Sequence, residues 1–325
     1  MSDSASESKT EEKISKYPLV YLRGLPFPAF LAAVGNVEKA IDFKPDDDDI
    51  FIVTYPKCGT TWTQFIVWEI INKGAVPPSP NQMMFQHVPF LEVTGPDALE
   101  ALSTPRIIKT HLPFHLQPYN PSSKYIYIIR NPWDCCVSYY YHHQMDTSQP
   151  QLTFDKYFEL FITGELGWGD YFDHILSWYS HRNDPNVLLL TYEEMKKDAK
   201  KAFFTIAKFL GDSYYKDLLD KNILENCLKH SDFKYMKSLG MFFPSFDEIQ
   251  KDAKKFAEEI GKIDRENAKS YKVREVNFFR KGEIGDWKNH FSQVQIERFN
   301  EYMSKKLKGT ELENFWQPLM AETSL

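Results

Sequence analysis

Cations, hydroxyl residues and glycines stand close together in Thr54-Tyr55-Pro56-Lys57-Cys58-Gly59-Thr60-Thr61-Trp62, in Lys109-Thr110-His111 and in Arg280-Lys281-Gly282. A lysine, a glycine and two threonines in one short loop suit an oxyanion: glycine admits a close backbone approach, hydroxyls donate hydrogen bonds, and the ammonium supplies a full charge. Two adjacent cations before Gly282 make a second anion cradle, because a guanidinium grips phosphate at two points and lysine adds a point charge. His111 is a residue type that can take a proton near neutral pH. Arg130 adds a further cation.

The elements that must position these residues are legible around them. The apolar, β-branched run 50–53 precedes the first loop, and Trp62, Phe65, Ile66, Trp68, Ile70 and Ile71 follow it at mixed helical spacing, which predicts strand, tight loop, helix. Such a helix points unpaired NH groups and the positive end of its dipole at the loop, a place that binds anions. Residues 106–111 read as a second strand ending in Lys109 and His111, and 125–129 as a third ending at Arg130. Asn131-Pro132 then starts a helix that runs through Ser138 and His142 toward Asp146. A fourth strand, 187–190, ends at Thr191-Tyr192. Strands alternating with helices predict a single α/β domain over residues 17–325, a central parallel sheet flanked by helices, with the ligand outside the carboxyl ends of the strands. Helices are expected at 154–162 and 171–181 and through 193–229, and the stretches 17–31 and 85–93 read as irregular apolar segments.

The chain has 325 residues, a 15% aromatic content and a formal charge of -6, which argues against a nucleic-acid or membrane-surface protein and makes any cationic site local. Asp46 to Asp49 reads as a solvated turn before the first strand, not a metal site. Residues 1–16 are polar and charged and predict a disordered tail with no signal peptide, and no run reaches transmembrane length. Cys58, Cys135, Cys136 and Cys227 show neither metal spacing nor a disulfide framework, so a reduced, cytoplasmic protein is the economical reading. The loop lacks the spacing of a nucleoside-triphosphate loop, and no later strand ends in the aspartate that would hold magnesium. A nucleotide whose anionic groups are met directly by side chains suits this set. A magnesium-dependent ATP enzyme and a catalytically silent small-molecule carrier are the alternatives.

TYPKCGTTW, KTHLP and RKGEIGDWK resemble, in order and spacing, the signature motifs of the cytosolic sulfotransferase family, and the resemblance runs from about Tyr17 to beyond Glu297. It implies an enzyme that uses 3'-phosphoadenosine 5'-phosphosulfate (PAPS) as donor and releases PAP, without a metal. It implies that Lys57, Cys58, Gly59, Thr60 and Thr61 hold the 5'-phosphosulfate, while Arg130, Ser138, Arg280, Lys281 and Gly282 take the 3'-phosphate. Trp62 and Phe233 would sandwich adenine, with Tyr192 and Ser231 at its edge. His111 would be the general base, with Lys57 and Lys109 stabilising the charge that develops during transfer.

On the acceptor side the resemblance implies a pocket lined by Phe85, Phe90 and the helix after Pro132, taking a small phenolic or alcohol hydroxyl. Asp146, at the far end of that helix, would pair with a protonated amine and favour phenolic amines such as dopamine or octopamine; a solvent-facing helix-end acid is the other reading of the same residue. The sequence departs from the family pattern in three places. Cys58 puts a thiol at a helix start, where its pKa could fall. Asp232 stands where serine is common beside the adenine contact. Ser292-Gln293 replaces the Thr-Val of the family's homodimer motif.

Overall fold

The computed structural model describes residues 18–145, 151–244 and 273–317. The tail 1–16, Asp146 and most of the charged stretch before Val276 lie outside the described residues. The chain opens with a hairpin of β1 (Leu19–Leu22) and β2 (Leu25–Pro28), followed by a helix at Ala29–Val34. Arg23 and Gly24, the two residues between the strands, both have positive φ (50° and 83°), the conformation of a tight hairpin turn. The irregular arm expected here is therefore ordered. Its prolines are compatible with a two-stranded ribbon, in which each strand is an edge. The stretch 85–93 is likewise more regular than expected, with a π-helical turn at Met83–His87 and a short helix at Leu91–Thr94.

The central sheet consists of β3 (Ile50–Thr54), β4 (Ile107–Thr110), β5 (Lys124–Ile129) and β6 (Val187–Thr191), all parallel, in the order β4-β3-β5-β6. Every residue of β3 and β4 is buried, as strands covered on both faces require. Alternation then sorts the side chains. Ile50, Ile52, Ile126 and Ile128 pack with Ile66, Ile70, Phe203 and Ile206 on one face. Phe51, Val53, Tyr125, Tyr127 and Ile129 pack with Trp133, Phe158, Tyr171 and Trp178 on the other. Asp49 is fully buried at the foot of β3, where it accepts both Arg106 Nε and NH2 at 2.7 Å. The turn Asp46–Asp49 is thus not wholly solvated: it clamps the start of β3 to the residue before β4.

Strand order reverses at β3. The chain passes from β3 to β4 on one side, then returns to β5 on the other, so the loops leaving β3 and β5 diverge and open a crevice beyond their carboxyl ends. The register aligns those ends, with Val53 opposite Thr110 and Thr54 opposite Ile128. Lys57, His111 and Arg130 consequently leave the sheet at one edge. A further antiparallel pair, β7 (Phe242–Pro244) and β8 (Val273–Glu275), precedes the Arg280 loop.

Candidate active site

The loop after β3 turns on two positive-φ residues, Lys57 (71°) and Gly59 (100°), and Gly59 is the N-cap of the helix Thr60–Ile71. A Cβ on Gly59 would lie 2.8 Å from the Tyr192 ring, so only glycine brings this backbone under that tyrosine. Arg130 crosses the same space: NH1 donates to the Lys57 carbonyl at 3.1 Å, NH2 to the Glu283 carbonyl at 3.3 Å, and the guanidinium lies 4.5 Å above the Tyr192 ring. Its Nε is buried with no hydrogen-bond partner among the described residues.

Lys57 Nζ rests 4.1 Å above the Phe278 ring, and Lys109 Nζ 3.9 Å above Phe90. Burial, with repulsion from Lys109 and Arg130, pulls the Lys57 ammonium down to about 7. Burial pulls Lys109 down to about 8, against the attraction of Glu92. Buried cations whose charge is only partly offset, Lys109 by Glu92, are what an anion site needs before its ligand arrives.

Arg280, Lys281 and Gly282, expected as a second anion cradle, lie together in one loop. Arg280 NH2 and Lys281 Nζ pair with Asp286 at 2.6 and 2.5 Å, and Arg280 stacks 4.6 Å above Tyr141. Against the burial that would raise it, hydrogen bonds from Lys281, Asn289 and Arg280 hold Asp286 well below the ordinary carboxylate range. This loop is fastened to the start of the helix Pro132–Gln144 by Asp134, whose Oδ2 accepts the Gly285 NH at 2.7 Å and whose Oδ1 accepts the Trp287 NH at 3.0 Å. Gly282 (φ 66°) lies flat against Phe233: a Cβ there would fall 2.5 Å from Phe233 Cδ2. Trp62 and Phe233 are brought together around one ammonium, with Lys196 Nζ 5.8 and 5.7 Å from their ring centroids, and Trp62 also meets Tyr192 edge-on at 5.7 Å. Ser231 is buried just ahead of Phe233 in the chain.

His111 sits one residue beyond β4. Its Nδ1 lies 2.7 Å from the Thr54 carbonyl and 3.2 Å from Thr54 Oγ1, which in turn contacts Thr60 Oγ1 at 2.6 Å. A carbonyl only accepts, so Nδ1 carries the hydrogen and Nε2 of the neutral ring is left with a free lone pair. Burial first, then the charge of Lys109, holds the ring's pKa well below its ordinary value, and the ring stays neutral at pH 7. The backbone is gripped on both sides: Glu92 Oε1 accepts the His111 NH at 2.7 Å, and His174 Nε2 donates to the His111 carbonyl at 3.0 Å. Phe90 and Trp168 meet the His111 ring edge-on at 5.1 and 5.2 Å, and His142 meets Phe278 at 5.7 Å. Phe85 is buried in the same cluster as Phe90, and Ser138 lies one turn before His142 on its helix.

The thiol expectation is overturned. Cys58 Sγ points away from the loop into the core, 3.7 Å from Cys135 Sγ, and burial raises its pKa well above the usual value. Asp232, which departs from the family pattern at the adenine contact, caps the helix Phe233–Leu239, where its carboxylate accepts the Lys234 NH at 2.8 Å. Sequence reasoning missed Glu92, Asp134, Trp168, His174 and Phe278, and it named Thr54 in the loop motif without its role toward His111. Of the residues missed, only Asp134 had a local signal, following the Asn131-Pro132 cap. Among the described residues no group of side chains could hold a metal ion, and no helix is long and apolar enough to cross a membrane.

A parallel sheet whose carboxyl edge gathers Lys57, Lys109, Arg130 and a neutral histidine suits group transfer from an anionic donor. Residues 47–311 match the family model described as a sulfotransferase domain. The chain is similar to sulfotransferase 1C2 of Rattus norvegicus, 34% identical over 306 residues, covering 91% of this chain and 94% of that protein. It is also similar to the amine sulfotransferase of Oryctolagus cuniculus, 33% identical over 309 residues, covering 93% and 95%. Its fold matches the crystal structure of mouse sulfotransferase SULT7A1 complexed with PAP, with a TM-score of 0.69, 27% identity, and 94% and 99% of the two chains covered. The chain belongs to the sulfotransferase family and is a PAPS-dependent sulfotransferase, as the sequence resemblance implied.

Proposed function

We propose that this chain transfers the sulfuryl group of PAPS to the hydroxyl of a small phenolic or alcohol acceptor, with His111 as general base. The observation that carries the reading is the Nδ1 contact to the Thr54 carbonyl, which leaves Nε2 as the ring's proton acceptor near the charges of Lys109 and Lys57. PAPS supplies an activated sulfuryl group with a phosphate leaving group. The residues fit it: Lys57 and the NH groups of Gly59, Thr60 and Thr61 would meet the phosphosulfate, whereas Cys58 donates its NH to the Tyr55 carbonyl and keeps its thiol in the core, so it shapes the loop without donating to the ligand. Arg130, whose buried Nε lacks a partner among the described residues, joins Ser138, Arg280, Lys281 and Gly282 at the 3'-phosphate. Trp62 and Phe233 stack on adenine, and Tyr192 and Ser231 meet its edge. Lys57 and Lys109 offset the charge that grows in transfer, an effect strongest where burial excludes water.

The acceptor wall of Phe85, Phe90, Trp168, Phe278 and His142 favours an aromatic alcohol. Asp146 follows Met145, the last described residue of that segment, and supports a preference for phenolic amines such as dopamine or octopamine. Comparing kcat/KM for dopamine and a neutral catechol in wild type and Asp146→Asn tests this: the preference should collapse in the variant, and equal ratios in both proteins would exclude it. The composition supports a cytoplasmic location, and Ser292 supports a departure from the family's dimer contact, since its hydroxyl caps the helix Gln293–Leu307.

A further inference from the structure

The helix Thr60–Ile71 buries a carboxyl that the transfer does not use. Glu69 is fully buried, and among the described residues neither of its carboxyl oxygens has a well-formed hydrogen bond; its neighbour is His230, whose Nδ1 lies 3.3 Å from Oε1. His230 is itself buried and is the last residue of the helix Lys221–His230, so Ser231, Asp232 and Phe233 follow it directly. The two helices meet closely here. Gly74 donates to the Glu69 carbonyl at 2.9 Å, and a Cβ on Gly74 would lie 2.8 Å from the Ile223 carbonyl oxygen. Cys227 Sγ approaches the Glu69 carbonyl at 3.8 Å, and the imidazole also bonds to the Ala75 backbone. Burial pushes the Glu69 carboxyl up to about 9 and lowers His230, so a protonated carboxyl faces a neutral imidazole.

We propose that Glu69 and His230 are positioning residues for the donor nucleotide: their contact fixes the segment carrying Ser231 and Phe233 against the phosphate-loop helix that carries Trp62. The inference rests on the donor site proposed above. Neither residue touches the reacting atoms, so its signature is a split between donor affinity and turnover.

The test uses the full chain, with PAP binding measured by calorimetry and steady-state KM for PAPS and kcat measured alongside. Glu69→Met, similar in size and unable to bond, should weaken PAP binding and raise KM for PAPS by about tenfold or more, with kcat at saturating PAPS within about twofold. Glu69→Gln, whose amide NH replaces the carboxyl OH, should bind PAP within about twofold of wild type. His230→Gln should reproduce the Glu69→Met loss, and serves in its place if that variant does not fold. Wild-type affinity in a folded Glu69→Met or His230→Gln protein overturns the inference, as does a kcat loss as large as the affinity loss. A wild-type chain that does not bind PAP overturns the donor site and the inference together.

Discussion

Nδ1 of His111 lies 2.7 Å from the carbonyl oxygen of Thr54, so the residue that ends β3 sets the tautomer of the residue that follows β4. The contact spans the two neighbouring strands at the carboxyl edge of the sheet, and it needs their register, with Val53 opposite Thr110. His111→Ala should lower kcat by about 10² to 10⁴, the range of a lost general base, while PAP affinity stays near wild type. Turnover near normal in that variant would remove His111 from the mechanism.

Donor affinity should fall with rising pH. The Lys57 ammonium is held down to about 7 by burial and by Lys109 and Arg130, and a bound anion restores its proton. Below about pH 7 the free protein already carries that charge. Above it, binding must take a proton from solvent, so PAP affinity should drop by up to about tenfold per pH unit, with Lys109 adding to the slope above about 8. Calorimetry in buffers of different ionisation enthalpy should show proton uptake on binding near pH 8. Flat affinity with no proton uptake would contradict the buried cation cluster.

The same residue should cost the unliganded fold stability. Unfolded, Lys57 holds its proton up to its ordinary value near 10.5; folded, it loses it near 7. The unfolded state therefore binds more protons between these values, and this group's contribution to stability rises with pH across that window. Lys57→Met, which keeps the apolar stem over Phe278, should raise Tm of the ligand-free protein at pH 7 by about 2 °C or more. It should also abolish PAPS turnover. A lower Tm would mean that the ammonium finds compensation in the folded state.

Gly282→Ala should damage donor binding from outside the phosphate loop. The added methyl would sit 2.5 Å from Phe233 Cδ2 in a residue with φ of 66°, and a left-handed residue with a side chain costs about 1–2 kcal/mol before any clash. PAP affinity should fall at least about tenfold. Retained PAP affinity would show that Phe233 is not part of the stacking wall.

The strand-loop-helix around Lys57 and the cations at three strand ends were legible because β-branched runs, a cap-and-proline start and local charge are short-range signals. The hairpin at Leu19–Pro28 was not, because its turn is made by Arg23 and Gly24 among prolines that ordinarily argue against a strand. Glu92, Trp168 and His174 were missed for a different reason: each reaches His111 only through tertiary packing, from 19, 57 and 63 residues away in sequence. Cys58 shows the limit of positional reasoning. Its place at a helix start suggested an acidified thiol, yet its NH donates to the Tyr55 carbonyl at 3.3 Å and the sulfur lies in the core beside Cys135.

The central claim is tested most directly by transfer of labelled sulfuryl from PAPS, in the presence of a chelator, to dopamine, a simple neutral phenol and a hydroxysteroid side by side. Sulfation of a phenolic acceptor by the wild-type chain, lost in His111→Ala while PAP still binds, is the predicted result. Failure to sulfate any of the three, together with no measurable binding of PAP, would contradict it.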